Sequence, residues 1–464
     1  MRILAREHRK FFLAMALAGL ILRALFLVSF PAVTDDSRVY ADFATNWLRQ
    51  GVYGVSQSGL IVPADTRLPG YPAFLAAIFA LFGLGNFKAV MLAQILVDSG
   101  TCVIVADLAR RTVSDRAGRI AFALAALCPF LANYAAAALT ETLEVFFTAL
   151  ALDCSAAALD RMNLDQPGAR LWAATGAAIG ACILLRPDGG ILLASIFLYL
   201  IVQAWRRGGR SVVPVVQAAT LVAALALAPL VPWTIRNFRT LHHFQPLAPR
   251  YANQSDELAL RGFNRWVETW IVDYASVEEI YWAVPGDKLD ASKLPNRAID
   301  SPQQQETTLA LLADYNQSQE MTPALDNRFG ELAAERIRTH PARYYLVLPA
   351  LRIADMWLRP RTELLPPDVR WWEFNDDPKG SVLAVGFGLL NLAYVGTALL
   401  AMVRWPSGVR YAGLMVGFVV LRSLFLGTLE NPEPRYTLEC YPVVILLGAV
   451  FFNQNFALGM IANP

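Results

Sequence analysis

The segment Thr34-Asp35-Asp36-Ser37-Arg38-Val39-Tyr40 sets two carboxylates beside a tyrosine, and Arg67-Leu68-Pro69-Gly70-Tyr71-Pro72 follows in the same polar stretch. A carboxylate held close to a membrane surface can take a proton from a hydroxyl. An arginine nearby can hold a phosphate, because it stays charged and its planar fork matches phosphate oxygens. Asp36 is on these grounds a candidate base and Arg67 a candidate phosphate ligand. The plainer reading is a solvated loop whose acids cap a helix starting near Ser37. Similar groups recur at Thr140-Glu141, Arg186-Pro187-Asp188, Pro232-Trp233-Thr234-Ile235-Arg236-Asn237 and Asn431-Pro432-Glu433-Pro434-Arg435-Tyr436. Each proline-bearing pair alone reads as a helix end. Together they assemble more arginines and carboxylates than helix ends require.

The elements that must position these residues are membrane spans. The chain has 464 residues, of which 56% are hydrophobic and 17% charged, and its mean hydropathy is +0.39. That is too apolar for a soluble enzyme of this length. A formal net charge of +2 gives no electrostatic pointer to nucleic acid. The basic N-terminus and the apolar run 11–30 read as an uncleaved first helix, too long for a signal h-region. Further spans of roughly 20 residues fit at 87–109, 117–137, 140–159, 170–185, 188–204, 212–232, 381–403, 409–428 and 437–457, making about ten.

Threaded alternately, these spans put the N-terminus, Arg110/Arg111/Arg116/Arg119, Arg161/Arg170, Arg206/Arg207/Arg210 and Arg404/Arg410 on one side. The positive-inside rule makes that side cytoplasmic. Residues 31–86, the tip near Arg186, the stretch 236–380 and residues 427–436 then lie outside. The apolar segments 71–85 and 344–358, the latter carrying Arg352 and Asp355, are read as helices on the outer surface or dipping into it. The fold class is therefore all-α polytopic, with juxtamembrane helices and a small α-rich cap on the outer face. Its parts are an N-terminal transmembrane module (1–235) with a catalytic first outer loop (31–86), a cap (236–380) and C-terminal transmembrane helices (381–464). The cap's Trp266, Trp270, Tyr281 and Trp282 read mainly as core or interfacial anchors. All five cysteines lie in or beside apolar runs, and the four histidines lack metal-ligand spacing, so disulfides and a zinc site are not expected. Arg23 and Asp98, each deep in a span, should meet across a helix interface.

In their order and shared side, Asp36-x-x-x-Tyr40, Arg67-x-Pro69-x-Tyr71-Pro72, Thr140-Glu141, Arg186-Pro187, Pro232-Trp233-x-x-Arg236-Asn237 and Glu433-Pro434-Arg435-Tyr436 resemble the C-type (GT-C) membrane glycosyltransferases. The bacterial relatives of protein O-mannosyltransferases and of lipid A aminoarabinose transferases are the similar groups. The resemblance implies transfer of a sugar from a polyprenyl phosphate to an acceptor hydroxyl, with inversion, at the outer face of a bacterial inner membrane and with both termini cytoplasmic. The acceptor is a lipid, a glycan or a protein. The resemblance also implies a first-loop carboxylate as base. The spacing to Tyr40 selects Asp36, with Asp35 as its substitute. Arg67, Arg236, Arg435 and then Arg186 become the phosphate-binding cations, while Tyr40, Tyr71, Glu141, Glu433 and Tyr436 contact substrate. No cofactor is required. A divalent metal held by Asp35 with Asp36 or Glu141 is possible but not expected. The competing readings are a flippase of the lipid-linked donor and a polymerase or ligase using a diphosphate-linked glycan. A transporter usually places its polar residues near the midplane within inverted repeats, and neither is visible here.

Overall fold

The computed structural model describes residues 2–206, 211–253, 257–404 and 408–462; Arg207 and Arg210 of the third basic loop fall outside them. Among the described residues the fold is all-helical apart from one β-hairpin. Among the described residues seven helices are long and apolar enough to cross a membrane, or eight when the bent pair Asp115–Ala126 and Pro129–Ala135 counts as one. The 52° bend of that pair falls at Pro129, which has no N–H to continue the helical ladder. The shorter apolar helices Ala169–Leu185 and Ala412–Gly427 occupy the two remaining expected spans. Gly70–Phe82 has only 13 residues.

Contacts divide the chain into two units. One comprises Met1–Gln254, Ala393–Val419 and Leu438–Pro464, and the other Ser255–Leu392 and Val420–Thr437. In the first unit, the long helices are joined by a buried charge pair. The Arg23 Nε donates to Asp98 Oδ2 at 2.7 Å, and its Nη1 donates to the carbonyls of Gly19 and Ala126 at 2.9 and 2.7 Å. The two side chains are 1% and 3% exposed. The expected meeting of Arg23 and Asp98 is thus found. A Cβ on Gly19 would lie 2.9 Å from the Ala126 carbonyl oxygen, which explains why the helices can approach closely enough for it.

The helix Asp35–Gln50 starts two residues before Ser37. Thr34 is its N-cap, with Thr34 Oγ1 accepting from the Ser37 N–H and Ser37 Oγ accepting from the Thr34 N–H. This reciprocal capping satisfies two otherwise orphaned donors. Asp35 and Asp36 then sit in the first turn, where the helix dipole favours negative charge. Gly51, at φ 69°, ends the helix in the left-handed conformation. Tyr40, Phe43 and Ala44, at helical spacing, form its buried face.

The hairpin Gly54–Gln57/Leu60–Pro63 follows, with Ser58 and Gly59 both at positive φ in its two-residue turn. Asp42 fixes the hairpin to the helix, accepting from Ser56 N–H at 2.6 Å and Ser56 Oγ at 2.7 Å. A Cβ on Gly70 would lie 2.6 Å from the Leu184 carbonyl carbon, so the Arg67 turn packs directly on the backbone of the Ala169–Leu185 helix.

The second unit has its own core, built on Phe263, Trp266, Trp270 and Phe329. Trp266 and Trp270 are fully buried, whereas Trp282 is 44% exposed. Buried arginines cross-tie this unit through backbone carbonyls: Arg336 donates to Ala298 O at 2.7 Å, and Arg352 to Ile271 O at 2.8 Å and Gly427 O at 3.1 Å. Arg352 in the apolar segment near residue 350 is therefore a buried structural group.

Candidate functional site

The first unit brings together six of the residues singled out in the sequence. Asp36 Oδ1 accepts from Arg67 Nη2 at 3.0 Å, with the two side chains 33% and 22% exposed. The Arg67 guanidinium carbon lies 5.7 Å from the centre of the Tyr40 ring, and Tyr40 meets Tyr71 edge-on at 5.1 Å. Tyr71 donates to the buried Gln94 at 2.8 Å. Gln94 in turn donates to the Ala137 carbonyl at 2.6 Å. Ala32 exchanges backbone hydrogen bonds with Ala136 and Ala138, both 3.0 Å. The chain entering the Asp36 helix is thereby tied to the turn that opens the Glu141–Asn163 helix. These backbone ties, rather than side-chain reach, set Asp36 and Glu141 at one end of the unit.

Electrostatics sharpens the geometry. Burial pushes the Tyr40 hydroxyl up to about 12, against the pull of Arg67, so it remains protonated at physiological pH. Burial works against the charge on Arg67, but Tyr40 and Asp36 outweigh it and hold the guanidinium above its ordinary value. Arg186 faces three carboxylates, with Glu141 and Glu144 at 3.8 Å and Asp188 at 3.4 Å. Its charge is thus already balanced within the protein. Glu144, one turn beyond Glu141 and 2% exposed, was absent from the sequence candidates. The available signal was an ionisable residue inside an apolar span.

The remaining candidates are placed differently. Asp35 is 97% exposed and pairs with Arg38 at 2.6 Å. Arg236 donates to Ala64 O at 2.9 Å and to Tyr53 O, and its guanidinium lies 5.3 Å from the ring centre of Trp233 and 5.4 Å from that of Tyr53. It acts as a clamp on the loop that carries Arg67. Two further ties reinforce the clamp. Tyr53 hydroxyl donates to Arg67 O at 3.0 Å, and His243 Nε2 meets Asp65 Oδ2 at 2.8 Å. The other His243 ring nitrogen faces the Leu241 carbonyl at 3.1 Å. Glu433, Arg435 and Tyr436 belong to the second unit. There Arg435 Nε lies 2.6 Å from Glu433 Oε2, and the Tyr436 hydroxyl donates to the same carboxylate. Nearby in that unit, burial and then Glu433, Glu278 and Glu363 push the Tyr274 hydroxyl far up. Among the described residues no three His, Cys, Asp or Glu side chains are grouped as a metal ion would require.

A family model described as dolichyl-phosphate-mannose-protein mannosyltransferase matches residues 65–233, which hold Arg67, Tyr71, Glu141 and Arg186 but stop short of Arg236. The Archaeoglobus fulgidus oligosaccharyltransferase, solved with a tethered acceptor peptide, overlays 97% of this chain and 50% of its own at a TM-score of 0.55 and 12% identity. The chain shares the fold of that half of the archaeal enzyme. A second structure of the archaeal oligosaccharyltransferase, with an inhibitory peptide and a dolichol-phosphate, gives a TM-score of 0.52 at 13% identity over 98% of this chain and 51% of that one. The chain thus spans about half the length of the archaeal oligosaccharyltransferase it overlays. ArnT from Cupriavidus metallidurans bound to undecaprenyl phosphate aligns over 97% of this chain and 79% of its own at 16% identity, but a TM-score of 0.36 is too loose an overlay to carry an argument. No curated protein matches in sequence.

Proposed function

We propose that the chain moves a sugar from a polyprenyl phosphate to an acceptor hydroxyl, with inversion, at the periplasmic face of a bacterial inner membrane. Both termini are cytoplasmic in this reading. The observation that carries it is the Asp36–Arg67 pair on the Tyr40 ring. A carboxylate and a guanidinium sit in contact in a half-exposed corner, next to the mouth of several spans. A pair this exposed contributes no more than about 1 kcal/mol to folding. Opening it is therefore cheap, in contrast to the buried Arg23–Asp98 pair, whose loss would leave a charge stranded.

The step balances without a cofactor. The acceptor oxygen attacks the anomeric carbon from the face opposite the phosphate, and its proton passes to Asp36. The bond from the anomeric carbon to the phosphate oxygen breaks with its electron pair on the phosphate. Arg67, released from Asp36 by the incoming phosphate, neutralises the growing charge. Arg236 keeps the Arg67 loop in register, and Glu141 with Glu144 sets the orientation of Arg186. Arg435 and Tyr436 remain candidates for contacts to the donor.

Mass spectrometry of envelope lipids and glycans tests this reading, comparing cells that carry the chain with cells that carry an Asp36→Asn version. The expected result is a species heavier by one sugar in the first sample and missing from the second. Identical spectra at every sugar mass would remove the transferase assignment.

A further inference from the structure

A cavity of about 700 Å³ lies wholly within the second unit, and the proposed transfer step does not use it. Its lining has two ends of opposite character. One wall is apolar and comes from the Pro378–Arg404 helix, through Val385, Gly388, Leu389 and Leu392, with Leu358 and Pro360 beside it. Leu389 is 64% and Leu392 45% exposed. That helix is long and apolar enough to span a membrane, and only 33% of its most apolar window is buried. Its open face therefore meets lipid, and the cavity wall continues that face.

The other end is ionic, with Lys293, Arg297, Arg359 and Arg370 against Asp273, Glu279 and Asp355. Glu279 is shared between Arg370 at 2.6 Å and Lys293 at 3.2 Å. Arg359 is 7% exposed. Its guanidinium lies 5.6 Å from the ring centre of Tyr274 and 5.7 Å from that of Trp372. It donates to the Val369 carbonyl; Asp355 stands off at 3.8 Å, and Glu278 and Glu363 also feel its charge. Among the lining side chains positive charge is in excess by one, four cations to three acids. Lys293, 42% exposed at its side chain, is the cation most free to move.

We propose that this cavity binds an anionic membrane phospholipid, its phosphate between Lys293 and Arg359 and an acyl chain along Gly388, Leu389 and Leu392. The apolar wall selects an amphiphile over a free anion, since burying methylenes is favourable. The cationic end selects a phosphate over a neutral head, since basic side chains attract an anionic headgroup. Because the apolar wall opens on a lipid-facing helix, bulk membrane lipid reaches the site from the bilayer.

Native mass spectrometry of the full chain in detergent tests the proposal, with phosphatidylglycerol and phosphatidylcholine of equal chain length as competing probes. The wild type should retain phosphatidylglycerol about fivefold or more over phosphatidylcholine. Lys293→Glu and Gly388→Leu should each abolish that preference, while Lys288→Glu, an exposed change outside the cavity lining, should keep it. Lys293→Gln, which removes the charge without reversing it, should lower the preference by an intermediate factor and covers the case in which Gly388→Leu fails to fold. Equal retention of both lipids by the wild type would overturn the proposal, as would an undiminished preference in the Lys293 variants. Displacement of bound phosphatidylglycerol by equimolar undecaprenyl phosphate would also overturn it, because the site would then belong to a prenyl phosphate.

Discussion

At the scale of single residues, exposure separates the charges that hold the fold from those free to act. Arg67 is both partly exposed and paired with a carboxylate that a phosphate can displace. Arg67→Ala should therefore leave the chain folded and weaken undecaprenyl-phosphate binding roughly tenfold or more, the value of one charge-assisted contact. Unaltered affinity in a direct binding titration would move the phosphate elsewhere. Asp355 illustrates the opposite case. Burial raises its carboxyl to about 6; Arg359 pulls it down, and Asp273 adds to the rise. The folded form thus holds this proton more tightly than the unfolded chain does. Stability from this group is full below about pH 4 and is lost as pH rises through about 6, a change on the order of 3 kcal/mol. Asp355→Asn can still accept the hydrogen bond from the Tyr274 N–H. Its thermal midpoint should fall less than the wild type's between pH 4 and pH 6.5, and parallel curves would contradict this.

At the scale of elements, the corner around Asp36 depends on a loop held from a distant helix. Arg236 and His243, at the end of the span Val213–Leu241 and just after it, bind the carbonyls of Tyr53 and Ala64 and the carboxylate of Asp65. His243→Phe removes one of these ties without touching Arg67. It should lower turnover several-fold, with donor affinity changed less, and an unchanged kcat would show that the tie is not needed. Part of the Asp36 helix was legible beforehand: paired acids at its start and a tyrosine one turn on. The clamp was not legible. Backbone carbonyls leave no mark in a sequence, and His243 and Asp65 are 178 positions apart. The Arg23–Asp98 contact was legible because two opposite charges in apolar spans have few alternatives to each other. Asp98→Asn and Arg23→Leu should each cost about 3–5 kcal/mol, since each strands a partner. Full folded yield for both, by detergent size-exclusion, would show that the pair carries no stability.

At the scale of the whole molecule, hydropathy located the ten apolar segments, because the bilayer forces each crossing to satisfy its own backbone. It also separated the 13-residue helix Gly70–Phe82 from the longer spans. What hydropathy could not supply was the division of labour among arginines. Arg336 and Arg352 are fully buried backbone ties, and Arg186 is surrounded by acids. Arg67 and Arg186 are about equally exposed, at 22% and 21%, and differ in that the ion pair of Arg67 is with one carboxylate, Asp36, whereas Arg186 faces three. The helical fold supplies the frame for this corner, and in the proposed reaction Asp36 takes the proton.

The most direct test is sugar transfer by purified chain in proteoliposomes supplied with polyprenyl-phosphate sugar and envelope acceptor, comparing wild type with Asp36→Asn while donor binding is measured on the same samples. The account predicts that Asp36→Asn binds donor within a few-fold of wild type and transfers about 10²–10⁴-fold more slowly. Transfer at the wild-type rate with binding intact would contradict it.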